Sequence, residues 1–504
     1  MVQRDPISAS EQSAQIEQII SDYFAQAVHR EEYHPICLVG CGQAGTELAG
    51  IFRLKPEFVP AYLPQYYPVR AVAMDTQANL SDNLKQRVGW YEPPVQLHLD
   101  PPTEDRVELL LEQGANQQQD SGGWADTTPF DVSRVARSGG AGGFALRGRA
   151  TAVHHFGADT PLRQQNTDIL DRARLLSRQN SGYLLTFSGL GGGTGSGVVP
   201  VVVGYIQERL APPPSGTFSI CVVPEWMSDN ISLSNFNERD PRLLSNLLAA
   251  LYYLVTTPAI NGIILSDNLQ LESQGHKDLL RIDRYLQDVL MPVFLAAQSR
   301  YIYRTQLDPA NVRLAMAPRG DGRHEFIAAC FAICPFPGAS KRILDMEQQT
   351  AIADPVTQVP ELGDLLETAL RNPTIQCETD TARSVLAVLS GPPEALERMV
   401  PDVESGVRFQ EALRVRCVEA RATTSSVEGG FSRFFLAKFP NMTDVRLTVL
   451  LSAPRFPALE HALRTALNDR NWGPAMGRET LADALRRVDE STVRRIGLAH
   501  IRPG

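Results

Sequence analysis

Basic residues are too few in this 504-residue chain for a surface built to meet a nucleic-acid backbone: 48 lysines and arginines face 57 acids, a net charge of −9. Such surfaces are made of clustered positive charge. Long apolar runs are missing too. Each run is broken by polar residues or proline, and the opening MVQRDPISASEQ has no apolar signal core, so no membrane span is expected and a cytoplasmic location is. None of the seven cysteines (Cys37, Cys41, Cys221, Cys330, Cys334, Cys377, Cys417) stands in a Cys-x-x-Cys pair, and several sit in apolar runs such as FIAACFAICP. That is the setting of buried, reduced thiols in a reducing compartment. His154 and His155 have no acid or cysteine at ligand spacing, which favours a surface pair over a metal site. No Walker A lysine follows a glycine loop, and no Gly-x-Ser-x-Gly marks a strand-to-helix elbow.

What remains is an ordinary folding composition, 43% hydrophobic and 21% charged, which excludes disordered and collagen-like chains. At about 150 residues per domain the length allows two or three domains. Apolar residues at helical spacing (Ile16, Ile19, Ile20, Phe24) predict a helical extension over 1–34. The first strand is HPICLVG, and from Gly40 onward strand, glycine loop and helix repeat. This is the grammar of an α/β fold: a parallel, Rossmann-like sheet covered on both faces, with ligands beyond the carboxyl ends of its strands. The sheet domain is expected over 35–275, interrupted by an irregular insertion at about 80–137. A central helix over 276–305, running from about Lys277 to Tyr303, follows, then a smaller α+β C-terminal domain over 306–460 and a helical tail over 461–504.

The sharpest local feature is the run Gly191, Gly192, Gly193, Thr194, Gly195, Ser196, Gly197 between a strand, YLLTFSG, and an apolar helical segment. Glycines let main-chain amides approach an anion, Thr194 and Ser196 add hydroxyls, and the helix N-terminus adds its positive end. A flexible linker would not sit between a buried strand and a buried helix. A second loop, Gly42, Gln43, Ala44, Gly45, follows the first strand, and a third contains Gly140, Ala141, Gly142 and Gly143. Each loop satisfies only a few anionic oxygens, so three imply a di- or triphosphate.

With these motifs the sequence resembles the tubulin/FtsZ superfamily of GTP-binding, filament-forming proteins. GGGTGSG matches the tubulin signature letter for letter, Gly42–Gly45 looks like the first tubulin loop, GAGGFALRG like the third, and ARSVLAVLSGPPEALE is similar to part of the FtsZ C-terminal domain. The resemblance implies GTP or GDP with Mg2+ as ligands. Gln43 and the Gly42–Gly45 backbone would hold the β-phosphate region and magnesium, Asp75 would reach magnesium through water, and the 141–143 loop would meet the γ-phosphate. There the chain departs from tubulin, with Gly143 and Phe144 where tubulin has two asparagines. Asn268 aligns with a base-contacting asparagine and Asp288 with a carboxylate of the FtsZ central helix, which together favour guanine over adenine. For the ribose, an FtsZ-like alignment points to Glu238 and Arg242 and a tubulin-like one to Asp229, with Asn237 between them; both stay open.

In that family GTP is hydrolysed at subunit junctions, where a loop of one subunit covers the γ-phosphate of the next. The corresponding stretch here, QLDPANVR, keeps Asp308 but places Asn311 where a second acid is expected. A neutral amide orients water but cannot take its proton. The implied function is a cytoskeletal GTPase, slowed by Asn311, that self-associates head to tail into protofilaments. The alternative is a non-polymerising GTP-binding module that docks a protein partner through the insertion or the tail. A nicotinamide-dependent dehydrogenase rests on the first glycine loop alone and lacks an acidic ribose anchor after the second strand.

Overall fold

Near-continuous apolar runs such as ICLVGC and GTFSICVV belong in strands buried on both faces, and β1 and β5 are buried along their whole lengths. A computed structural model describes residues 35–51, 69–76, 95–100, 145–157, 164–177, 182–224, 246–247, 250–251, 253–255, 257–268, 270, 286, 288–294, 300–301, 309–316, 325–335, 361–418, 431–439 and 442–460. In chain order the first elements are β1 (Ile36–Cys41), α1 (Gly42–Ile51), β2 (Val69–Asp75), β3 (Val95–His98), α2 (Ala145–Phe156), α3 (Gln164–Ser177), β4 (Tyr183–Gly189), α4 (Gly193–Arg209), β5 (Gly216–Val223) and β6 (Gly262–Asp267). They are followed by β7 (Arg300–Tyr301), α5 (Pro309–Met316), β8 (Glu325–Pro335), α6 (Leu362–Leu370), β9 (Ser384–Gly391), α7 (Pro393–Met399), α8 (Val403–Cys417), β10 (Phe431–Lys438) and β11 (Asp444–Ser452).

All described strands join one sheet in the order β3-β2-β1-β4-β5-β6-β8-β11-β9-β10-β7, in which only β11 and β7 run against the rest. The strand order reverses between β1 and β4. In a doubly wound sheet that is the topological switch point, where the loops after neighbouring strands leave on opposite faces and open a crevice. The α+β part continues the sheet through the parallel contact of β6 with β8, Gly262–Leu265 against Glu325–Ala328.

Alternation along the strands divides the core in two. Cys37, Val39 and Cys41 face one layer with α2, α3 and α4, whereas Ile36 and Leu38 face the other with Leu48 of α1, Phe294 and Val312 of α5. α4 is buried from Gly193 through Ile206, as a helix that is apolar all round must be. Its closest neighbour is α2, and glycine sets the spacing: a methyl group at Gly148 would overlap the Gly193 carbonyl oxygen, and one at Gly197 the Ala145 oxygen and Arg149 nitrogen. The two backbones touch with no side chain between them.

Three expectations change. Part of the irregular 80–137 stretch is an edge strand, since β3 pairs with β2 from Val95↔Val72 to His98↔Asp75. The central helix stops before Arg300: Leu286 and residues 288–294 are helical, but Arg300 and Tyr301 pair with Leu436 and Phe435 of β10. His155 is no surface residue. It is 1% exposed, with Nε2 3.0 Å from the Asp100 carbonyl oxygen and its ring against Phe156, because α2 turns that face toward the end of β3. The N-terminal extension, most of the insertion and the tail lie outside the described residues.

All seven cysteines are free thiols, five of them fully buried. Burial pushes the Cys37 and Cys221 thiols up to about 12, so neither is a thiolate at neutral pH. Cys41, at the end of β1, is raised further by burial and by the nearby Asp75 carboxylate. Among the described residues no helix is long and apolar enough to cross a membrane, and no cluster of three acid, histidine or cysteine side chains is arranged to hold a metal.

Candidate functional site

At the switch point β1 and β4 lie side by side, with Cys41 opposite Ser188. β1 passes straight into α1, and β4 leads into α4 through the short turn 190–192, so the N-termini of α1 and α4 emerge together at the carboxyl edge. They are in backbone contact. Gly42 has φ +72°, which a side chain rarely adopts, and a methyl group there would stand 2.9 Å from the Gly195 nitrogen. In return, a methyl group at Gly195 would stand 2.9 Å from the Cys41 carbonyl oxygen and 3.0 Å from that of Gly189. Neither partner can carry a side chain at this junction.

Two helix ends, each equivalent to about half a positive charge, therefore meet with nothing between them. The residue that caps α4, Gly192, makes no side-chain capping bond, and no acid stands in the first turn of α4 or α1. The first N–H groups of a helix need partners from outside it. Gln43, Ala44 and Gly192 are exposed at this junction and Gly191 is half-buried, so an anion can reach it from solvent.

The hydroxyls of the glycine run are engaged elsewhere. Ser196 Oγ donates to the Leu190 carbonyl oxygen at 2.9 Å. Thr194 Oγ1 donates to Asp75 Oδ1 at 3.2 Å and lies 2.7 Å from Thr76 Oγ1. A hydroxyl has one proton, so with Thr194 donating to Asp75, Thr76 supplies the proton between the two threonines. Asp75, Thr76 and Thr194 are all buried. They brace the end of β2 against the start of α4, and the groups left to meet an anion are main-chain amides.

The described architecture superposes on solved structures. A GDP-bound monomer of CetZ1 from Haloferax volcanii matches with a TM-score of 0.52 at 16% identity, over 86% of this chain and 98% of that one. CetZ from Methanosaeta thermophila matches with a TM-score of 0.52 at 15% identity, over 90% and 97%. The chain shares the fold of these two CetZ structures. At such identity the likeness is one of architecture; no family model matches the chain, and no curated protein matches it in sequence.

Within this fold the residues singled out in the sequence divide into three groups. Gly42–Gly45, Asp75 and Gly191–Gly197 converge at the switch point. Asn268 follows the end of β6 on the same edge, half-buried. Asp288 meets Arg446 of β11, Oδ1 to Nη1 at 3.3 Å, and Arg446 also holds Asp444 through Nε at 2.9 Å and Nη2 at 3.0 Å. Gly140, Ala141, Gly142, Gly143, Asp229, Glu238, Arg242 and Asp308 lie outside the described residues, and Asn311 is the third residue of α5.

Two residues of the site were missed in the sequence. Thr76 adjoins Asp75 and gives no pattern of its own. Asn246 is a lone amide in the apolar run LLSNLLAALYYL, which is the signal that could have found it: a buried amide must find partners. Its Oδ1 accepts from the Ala145 N–H at 2.8 Å, and its Nδ2 donates to the Gly191 carbonyl oxygen at 2.9 Å.

Proposed function

We propose that the protein binds GTP and GDP at the switch point and assembles head to tail into filaments, with slow GTP hydrolysis completed at the junction. The observation that carries the reading is the backbone contact, at Gly42 and Gly195, of two helix N-termini with no acid in their first turns, that of α4 also without a side-chain cap. Side-chain-free amides and converging helix dipoles favour a polyanion. The tail phosphates lie along Gly191–Gly197 and Gly42–Gly45, with Gly140–Gly143 at the γ-phosphate. Asn268 faces the base, with Asp288, oriented by Arg446, as a second contact; Asp229 or the pair Glu238 and Arg242 takes the ribose.

The donor set also fits Mg2+ carried by the phosphates. Asp75 is a carboxylate at the end of β2 against Thr194 of the glycine run, and Gln43 is exposed at the start of α1; both would hold the ion through water. Magnesium supplies charge neutralisation on the phosphate oxygens. The chain's own part is positioning: the amides hold the phosphates in line. Asp308 of the next subunit accepts the proton of the water that attacks the γ-phosphorus, and Asn311 orients that water without taking a proton.

The test is calorimetry with GDP and a non-hydrolysable GTP analogue, then sedimentation and phosphate release over a range of protein concentrations. Binding, pelleting with GTP and a release rate per subunit that climbs with concentration are expected. A rate independent of concentration contradicts hydrolysis in trans. Binding without pelleting at any concentration establishes the non-polymerising module instead.

A further inference from the structure

The Gly191–Gly192 peptide sits at the mouth of the cradle, flanked by two residues without side chains. Nothing steric on its own residues fixes which way its carbonyl points. A carbonyl oxygen turned toward a phosphate repels it, whereas an N–H in the same place binds it, so the orientation of this peptide decides whether the loop accepts an anion. Two bonds hold it: the Gly192 N–H donates to the Gly189 carbonyl oxygen at 3.4 Å, and Asn246, 55 positions along the chain, donates its Nδ2 to the Gly191 oxygen at 2.9 Å, the shorter of the two. The same side chain accepts the N–H of Ala145, the first residue of α2. Asn246 is 3% exposed, so water does not compete for either bond.

Only an amide suits this position. It must donate on one side and accept on the other, which a carboxylate, a hydroxyl of shorter reach or an apolar group of the same shape cannot do. Its frame is rigid as well, because α2 lies backbone to backbone on α4 at Gly148 and Gly197. The residues after Asn246 reinforce that seat: the Arg149 guanidinium of α2 lies 4.1 Å from the centre of the Tyr253 ring. The loop is thereby referenced to the packed pair of helices rather than to its own flexible glycines.

We propose that Asn246 is a positioning residue of the anion cradle, holding the Gly191 carbonyl away from the phosphates so that the start of α4 presents amides to them. This rests on the polyphosphate reading of the switch point and deepens it. The side chain touches no ligand and acts through the main chain of residues 191 and 192.

The experiment compares the wild type with Asn246→Asp, which still accepts from Ala145 but sets a carboxylate oxygen against the Gly191 carbonyl, and with Asn246→Ala, which loses both bonds. Affinities for GDP, GMP and inorganic tripolyphosphate are measured by calorimetry, and hydrogen exchange of the 189–197 segment is followed without ligand. The GDP-to-GMP affinity ratio, in which base and ribose contacts cancel, is expected to fall about tenfold in both variants, the factor that one lost buried hydrogen bond is worth. Tripolyphosphate binding is expected to fall in parallel, and exchange of the 189–197 amides to quicken. A merely structural residue would shift the melting temperature and leave the ratio untouched; an unchanged ratio with unchanged exchange overturns the proposal. A wild type that takes tripolyphosphate but no guanine nucleotide refutes the guanine reading and leaves Asn246 to be judged on tripolyphosphate and exchange. A wild type that takes neither overturns both.

Discussion

Gly195→Ala is expected to weaken GDP binding by about a hundredfold while leaving the helical and strand content unchanged, as read by calorimetry and far-ultraviolet circular dichroism. The added methyl group meets the Cys41 and Gly189 carbonyl oxygens at 2.9 and 3.0 Å and the Gly189 nitrogen at 3.2 Å. All three are main-chain atoms of the strand ends, which cannot swing aside as a flexible side chain would. Relief requires α1 and α4 to part by a few tenths of an ångström. Forcing one extra carbon into a packed site costs about 1–3 kcal/mol, and the upper part of that range corresponds to a factor of about a hundred in affinity. Gly363→Ala in α6, where an added methyl group has no neighbour within 4 Å, is the control and should bind GDP like the wild type. Wild-type affinity in Gly195→Ala would place the nucleotide elsewhere.

The second large effect concerns stability. Arg446→Met should lower the free energy of unfolding in urea by about 3–5 kcal/mol, the cost of leaving buried charge unpaired. Arg446 and Asp444 are each 7% exposed at their side chains and Asp288 is 19% exposed, so removing the guanidinium takes from both carboxylates the cation they contact, in a place with little water. The variant also releases the tie between the 288–294 helical segment and β11, which is otherwise made by Thr448 Oγ1 donating to the Val289 carbonyl oxygen at 2.8 Å. Asp288→Asn separates the two roles of that carboxylate. A loss of stability together with a loss of preference for GDP over ADP is expected, and a retained preference would confine Asp288 to its ion pair. A loss well under 1 kcal/mol in Arg446→Met would mean that the three charges are solvated.

The glycine-lined junction of β1 and β4 was legible in the sequence because its physics is local. A glycine run between a buried strand and a buried helix needs no distant residue to be recognised, and the same holds for Gly42–Gly45 after β1. The hydroxyls of Thr194 and Ser196 were read as ligand donors and are found bonded to Asp75 and Leu190. The partner of a hydroxyl depends on which strand end folds beside it, and spacing along the chain carries no trace of that. His155 failed for the same reason: its acceptor is the carbonyl of Asp100, 55 positions earlier. β3 was hidden because a four-residue edge strand, VQLH, is too short to show a period of two.

Spacing and residue type along the chain were enough to identify the elements that bury their own apolar faces and the glycines that let main chain approach main chain. Composition, period and local backbone freedom are properties of a segment and survive without a partner. Folding alone makes β1 and β4 neighbours, brings two helix ends into contact there, lets Asn246 reach both Ala145 and Gly191, and pairs Arg446 with Asp288. Each of these joins groups from distant parts of the chain. Hydrogen-bond and ion-pair energies fall off within a few ångströms, so such pairings exist only once the sheet has set the distances.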